Sequence, residues 1–279
     1  MHQFLSPCAT TDTEAVNESM VSSHEADTTL ACSLDLMQGI VAWLIKAGVG
    51  YAELSSALKP LFYNAAIDEL DTIKQKKTDS SMSLISGLHR RDVSEYKQEN
   101  KHQRIPLSTV QTPMSLALRV LQLWQTKKYP NAITVAGEHG FDALVNQIST
   151  EKHPRSVLFE MKRLKMLTEE NGMVYLKTVS SASAAALLEQ KQDLVAGVKA
   201  QLNAGLKNLF DADTVYLQGS IAFEHLSINS VHKLNVLSAD LWDAMQEKLR
   251  ATADECLKKD AEHSKAIYSF RAGTFGYFE

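Results

Sequence analysis

Two adjacent arginines, Arg90 and Arg91, followed by Ser94 and then Lys97, are the residues whose types and spacing can do the most specific chemistry in this chain. A guanidinium is a planar fork that meets guanine or phosphate with two hydrogen bonds, whereas lysine is a point charge suited to phosphate. His89 stands just before them, placed as a helix cap or a phosphate contact. Lys74, Lys76 and Lys77 upstream, and Arg104 downstream, would hold a nucleic-acid backbone. Residues 74 to 104 carry eight bases (Lys74, Lys76, Lys77, Arg90, Arg91, Lys97, Lys101, Arg104) against four acids (Asp79, Asp92, Glu95, Glu99), a local +4. Asp92 and Glu95 share the arginines' helix, and each repels phosphate.

Presenting these side chains together requires a helical corner. The segment TDSSMSLISGLHRRDVSEYK, Thr78 to Lys97, reads as two short helices joined by a glycine turn. Ser83 lets the helices approach, Gly87 makes the turn, and Leu88, Val93 and Tyr96 point inward, which leaves Arg90, Arg91, Ser94 and Lys97 outward. That is the shape of a helix-turn-helix, whose second helix lies in the DNA major groove and offers its first turns to base edges. The plainer alternative is a helical corner of an all-α body with its charges solvated.

The pattern predicts a mainly α chain in four parts. Residues 1–33 read as a disordered acidic tail, 34–105 as a helix-turn-helix domain, 106–180 as a winged-helix-like domain, and 181–279 as a C-terminal helical region with a small terminal β-hairpin. In the first domain a helix ends near Gly48, and another runs from Tyr51 to Leu70 with Leu54, Leu58, Leu61, Phe62 and Ala65 on its apolar face and a kink at Pro60. In the second, helices over Met114 to Lys127, Phe141 to Ser149 and Pro154 to about Lys165 precede a hairpin turning at Asn171-Gly172. Lys152, Arg155, Lys162, Arg163 and Lys165 surround the third of these helices. Glu169 and Glu170, however, occupy the hairpin where a groove-reading wing carries bases, so packing against protein is as good a reading as a second DNA contact. Long helices over Ser183 to Phe210 and Leu234 to Leu257 suit a dimer, and Ala272-Gly273 suits a terminal turn.

Charge and composition set limits. The net charge of −4 argues against coating nucleic acid by bulk charge, but residues 1 to 36 hold six acids and no Lys or Arg, which leaves the rest at +2. No unbroken apolar run approaches the roughly 18 to 20 residues of a membrane span, and the start lacks a leader pattern, so a cytoplasmic protein is expected. Cys8, Cys32 and Cys256 have no CxxC spacing, and the nine histidines show no metal-ligand spacing. Neither a zinc site nor a disulfide scaffold is expected. Phosphate-loop, dinucleotide, zinc-protease and serine-hydrolase motifs are absent, so neither an enzyme nor a cofactor is expected.

The runs DLMQGIVAWLIKAGVGYAEL, SLISGLHRRDV, FDALVNQIS with HPRSVLFEMKRLKML, and FRAGTFGYFE together resemble a proteobacterial protein family of unknown function. The resemblance extends from about Leu34 to the C-terminus, and Ser86 to Val93 match that family's helix-turn-helix form LTGLHRKDV. It implies a bacterial cytoplasmic protein with a DNA-binding region and supplies no catalytic residues. The expectation is a regulator that binds double-stranded DNA, paired through its C-terminal helices, without membrane, metal or cofactor. The alternative is an interaction scaffold that makes no direct DNA contact.

Overall fold

The computed structural model describes residues 18–100, 103–109, 113–177, 181–211, 215–261 and 267–277. It is mainly helical, with one small antiparallel sheet, and divides into a unit over Met1–Thr178 and another over Val179–Glu279.

The first unit opens with α1, Glu18–Lys46, much of which the sequence reading assigned to a disordered tail. Residues 1–17 of that tail lie outside the described residues. Helix propagation costs far less than nucleation, so a helix nucleated in the apolar stretch after Leu34 extends backward through a segment that holds no proline or glycine. The same helix bears on the membrane reading. Small polar residues interrupt its apolar ones, yet His24–Lys46 is long and apolar enough to cross a bilayer by length and composition, with a mean hydropathy of 1.4. Leu30, Leu34, Leu36, Ile40, Val41, Trp43 and Ile45 are all exposed on it.

Gly48 (φ +79) ends α1 in the left-handed region, and a Cβ there would meet Leu164 Cδ1 at 2.7 Å. The helix α2, Tyr51–Thr72, follows, and Glu53 Oε2 accepts from Gly50 N at 3.1 Å at its entry. Pro60 lies inside α2 and is buried, but the inward face is rotated from the expected one. Tyr63, Asn64, Ala66, Ile67 and Leu70 are buried, whereas Leu61 and Phe62 are exposed. An aromatic ring and an amide took the inward positions, which a purely hydrophobic count does not register. Next come α3, Asp79–Ser86, and α4, Arg90–Glu99. The core of these helices is Tyr63, Ala66, Ile67, Leu70, Met82, Val93 and Ile105, with Leu88 and Tyr96 against it. Tyr63 and Tyr96 meet edge to face at 5.5 Å.

Asn64 fastens the following strap to this core. Its amide donates to Ile105 O at 2.9 Å, and its carbonyl accepts from Ile105 N at 2.8 Å. Both backbone groups are thus satisfied by one buried side chain, and Asn64→Leu orphans them. Each unsatisfied buried group costs about 1–3 kcal/mol, so this variant is expected to lose about 2–4 kcal/mol in urea unfolding.

A second core lies in the same unit. It is built from α5 (Leu116–Thr126), β1 (Ala132–Thr134), α6 (Phe141–Asn146), α7 (Pro154–Arg163), β2 (Leu167–Glu170) and β3 (Met173–Leu176). The sheet order is β1-β3-β2, antiparallel throughout. Asn171 (φ 50) and Gly172 (φ 76) turn β2 into β3, both left-handed as a two-residue hairpin of this hand requires. The strand β1 escaped the sequence reading because three residues are too few to show alternation. Trp124, Phe141, Leu144, Val145, Met161 and Val174 form the centre of this core.

The second unit holds α8 (Ser181–Phe210) and α9 (Ile228–Asp260), with Ser227 capping α9 by accepting from Ser230 N at 3.3 Å. Its apolar side chains, among them Leu194, Val198, Leu202, Leu237 and Leu241, are exposed. The expected terminal hairpin is not formed, since no strand occurs in residues 267–277. An isolated two-stranded ribbon is marginal in water, and this one would have turned on a segment whose Ile267, Tyr268, Phe270 and Phe275 are exposed.

Candidate nucleic-acid interface

The corner between α3 and α4 is set by local chemistry at both ends. Thr78 and Ser81 cap α3 reciprocally: Ser81 N donates to Thr78 Oγ1 at 3.1 Å, and Thr78 N to Ser81 Oγ at 2.9 Å. Gly87, at φ 69 and ψ 2, closes α3 in the left-handed conformation that glycine tolerates best. Ser83 does more than make room, since its hydroxyl donates to Leu88 O at 2.7 Å and holds the turn from inside. Val93, fully buried, pins α4 from below.

This anchoring fixes which side chains of α4 face out. Arg90 and Arg91 are exposed in its first turn, and His89 is the exposed N-cap residue, although its side chain makes no cap hydrogen bond. Arg90 Nη2 donates to Ser80 Oγ at 3.1 Å, which steadies the guanidinium without neutralising it. Arg91 has no hydrogen-bond or ion-pair partner among the described residues. Ser94 is half-buried one turn further on. An open depression of about 770 Å³ lies at this corner, lined by Lys59, Ser83, Leu88, His89, Arg90 and Arg91 among others.

The structure pairs several of the remaining cations. Lys97 meets Asp79 at 2.7 Å, Lys77 meets Asp71 at 2.6 Å and Arg104 meets Asp68 at 2.8 Å. These bridges are partly or fully solvated and worth little each, so phosphate can compete for the cations, though each begins neutralised. Lys76 is exposed, and Lys74 (φ 53) ends α2 in the left-handed region, a backbone role the sequence reading did not foresee. Pairing also alters the acids. Asp92 is held by Lys59 at 2.9 Å, and that hydrogen bond raises the Lys59 pKa above its ordinary value. The contribution of Lys59 was not legible locally, because its partner lies on another helix.

The third helix of the second core differs. Arg155 and Lys162 of α7 both reach Glu169 on β2, Nη1 to Oε1 and Nζ to Oε2, each at 2.9 Å. Hydrogen bonds from Lys162 and then Arg155 hold the Glu169 carboxyl below the usual glutamate range. A carboxylate with a depressed folded-state pKa stabilises above its unfolded value, about 4.3, and that stabilisation is lost as pH falls through the folded value. Urea midpoints of Glu169→Gln and the parent chain are therefore expected to differ at neutral pH and to converge under acid. Glu160 is likewise lowered by its hydrogen bonds to Arg163, whose Nη2 also donates to Ile45 O at 2.8 Å and ties the end of α1 to α7. Phe159, 70% exposed, stands between Arg155 and Lys162 on the outward face of α7.

Among the described residues, no three or more His, Cys, Asp or Glu side chains gather as a metal site. Comparisons with family models, curated proteins and solved structures return no match to this chain.

Proposed function

We propose that this chain binds double-stranded DNA through α3 and α4 acting as a helix-turn-helix, as a transcriptional regulator would. One observation carries the reading: two exposed arginines, neither in an ion pair among the described residues, project from the first turn of a helix whose opposite face is locked by Val93. In such a motif the first turn of the second helix meets base edges. Arg90 and Arg91 read bases or anchor phosphates, His89 and Ser94 flank them, and Lys74, Lys76, Lys77, Lys97 and Arg104 meet phosphates. Neutralisation of Asp92 by Lys59 supports this, because it offsets one of the three acids, Asp92, Glu95 and Glu99, on the helix. The likeness of SGLHRRDV to the motif of the family described above supports it as well.

The order α5-β1-α6-α7-β2-β3, with its hairpin wing, suits a winged helix, and the exposed apolar faces of α8 and α9 suit pairing of two chains. The test is selection of bound genomic fragments by the purified protein. Recovery of a shared sequence by the parent chain, lost in Arg90→Ala, Arg91→Ala, supports the reading; unselective recovery by both counts against it.

A second reading, a protein-interaction scaffold, draws on α7. There Glu169 already satisfies the two cations that would meet phosphate, while Phe159 remains exposed between them. This reading predicts that Phe159→Ala abolishes function and that the arginine variant does not.

A further inference from the structure

We propose that Glu95 of α4 reads cytosine, accepting a hydrogen bond from its exocyclic amine, one helical turn beyond a guanine taken by Arg91. The inference rests on the DNA reading above and deepens it, since it states what the outward face of α4 recognises.

Val93 sets that face. In a helix of 3.6 residues per turn, a residue two places to either side of Val93 lies about 200° around the axis from it. Those residues are Arg91 and Glu95, and because Val93 is fully buried both project to solvent on one outward stripe. The other charged side chains of the first two turns are committed within the fold. Arg90 donates to Ser80 at 3.1 Å, Asp92 accepts from Lys59 at 2.9 Å, and Lys97 meets Asp79 at 2.7 Å. Arg91 and Glu95 make no hydrogen bond or ion pair among the described residues, not even with each other. Lys59, held by Asp92, acts on Glu95 only through its charge at longer range. Arg91 and Glu95 stand four residues apart with the base first, the weaker order for a helical ion pair. The stripe therefore offers an open guanidinium fork and an open carboxylate side by side.

An acid at this place weakens contact with every duplex, because phosphate repels it whatever the sequence. It gains only where a base edge offers a hydrogen-bond donor. Two amines do so in the major groove, and adenine sets an N7 acceptor beside its own, which repels a carboxylate, whereas cytosine does not. The fork of Arg91 matches the paired acceptors of guanine. Four residues of helix rise about 6 Å, less than two base steps of about 3.4 Å each, so the two bases lie within about two steps of each other. Glu99, the other exposed acid of α4 without such a place, closes the helix one turn further from the corner.

The test is selection from random-sequence duplexes by the parent chain, Glu95→Ala and Glu99→Ala, followed by titration of the recovered site. The parent is expected to select a cytosine within about two steps of a guanine, and to lose roughly 5- to 150-fold in affinity when another base replaces that cytosine. Glu95→Ala is expected to accept any base there, to keep the guanine, and to bind unrelated duplexes more tightly at low salt. Glu99→Ala is expected to keep both preferences. Replacing the cytosine by 2-pyrimidinone, which lacks only the amine, should weaken the parent more than Glu95→Ala. A shared site without such a cytosine overturns the proposal. So does a Glu95→Ala chain that retains the cytosine preference, even if it binds all duplexes more tightly, because Glu95 then acts on phosphate alone. Loss of the preference in Glu99→Ala also overturns it, since the effect would then belong to the charge of the helix. In each of these cases the parent still recovers a shared sequence and the DNA reading stands; a parent chain that recovers none removes both.

Discussion

Replacing Arg90 and Arg91 together by alanine is expected to weaken binding to a selected duplex by roughly a hundredfold, with the unfolding transition unchanged. A bidentate arginine–base contact contributes about 1–3 kcal/mol of discrimination, and each 1.4 kcal/mol is tenfold in affinity. Stability should not follow affinity, because both side chains are exposed and, among the described residues, their only hydrogen bond or ion pair is that from Arg90 to Ser80. The paired cations should behave otherwise. Lys97→Ala removes a phosphate contact together with the ion pair that offsets the charge of Asp79, so its loss reflects both terms and rises at low salt. Anisotropy titrations on one duplex, run beside thermal melts, separate the two cases. A double arginine variant that melts early yet binds normally would contradict the placement.

The largest stability effect is expected at Trp124. Its ring is fully enclosed, it lies against Phe141 with centroids 6.4 Å apart, and its Nε1 donates to Pro130 O at 2.9 Å. Truncation to alanine leaves a cavity in the second core and orphans a carbonyl, at a cost of about 3–5 kcal/mol. For a unit of this size that corresponds to a fall of about 6–20 °C in the melting midpoint. Trp124→Phe, which keeps the bulk and loses the donor, should cost much less. Equal losses for the two would mean that the hydrogen bond, not the volume, dominates.

The elements with strong local grammar were legible in the sequence. Gly87 between two short helices, Pro154 at a helix start and Asn171-Gly172 between apolar arms each restrict the backbone by themselves, and each marks a real boundary. What escaped depends on partners distant in the chain. The amide of Asn64 became a core residue only through Ile105, the rotated face of α2 followed from that contact, and β1 exists only as a neighbour of β3. The terminal segment erred in the opposite direction: alternating apolar residues suggested strands, but no neighbouring strand accompanies them. At the site, the exposed arginines could be read from the pattern, since Val93 and Tyr96 fix the helix face. The bridges that occupy Lys77, Lys97 and Arg104 could not, because each acid lies at least a turn away in sequence or on another helix.

The central claim is that the corner at Arg90 and Arg91 meets the phosphate backbone of DNA, and the salt dependence of binding tests it most directly. With six phosphate contacts, a plot of log K against log [salt] for the full chain on a duplex recovered by selection is predicted to be linear, with a slope of roughly −5. A slope near zero would contradict the account.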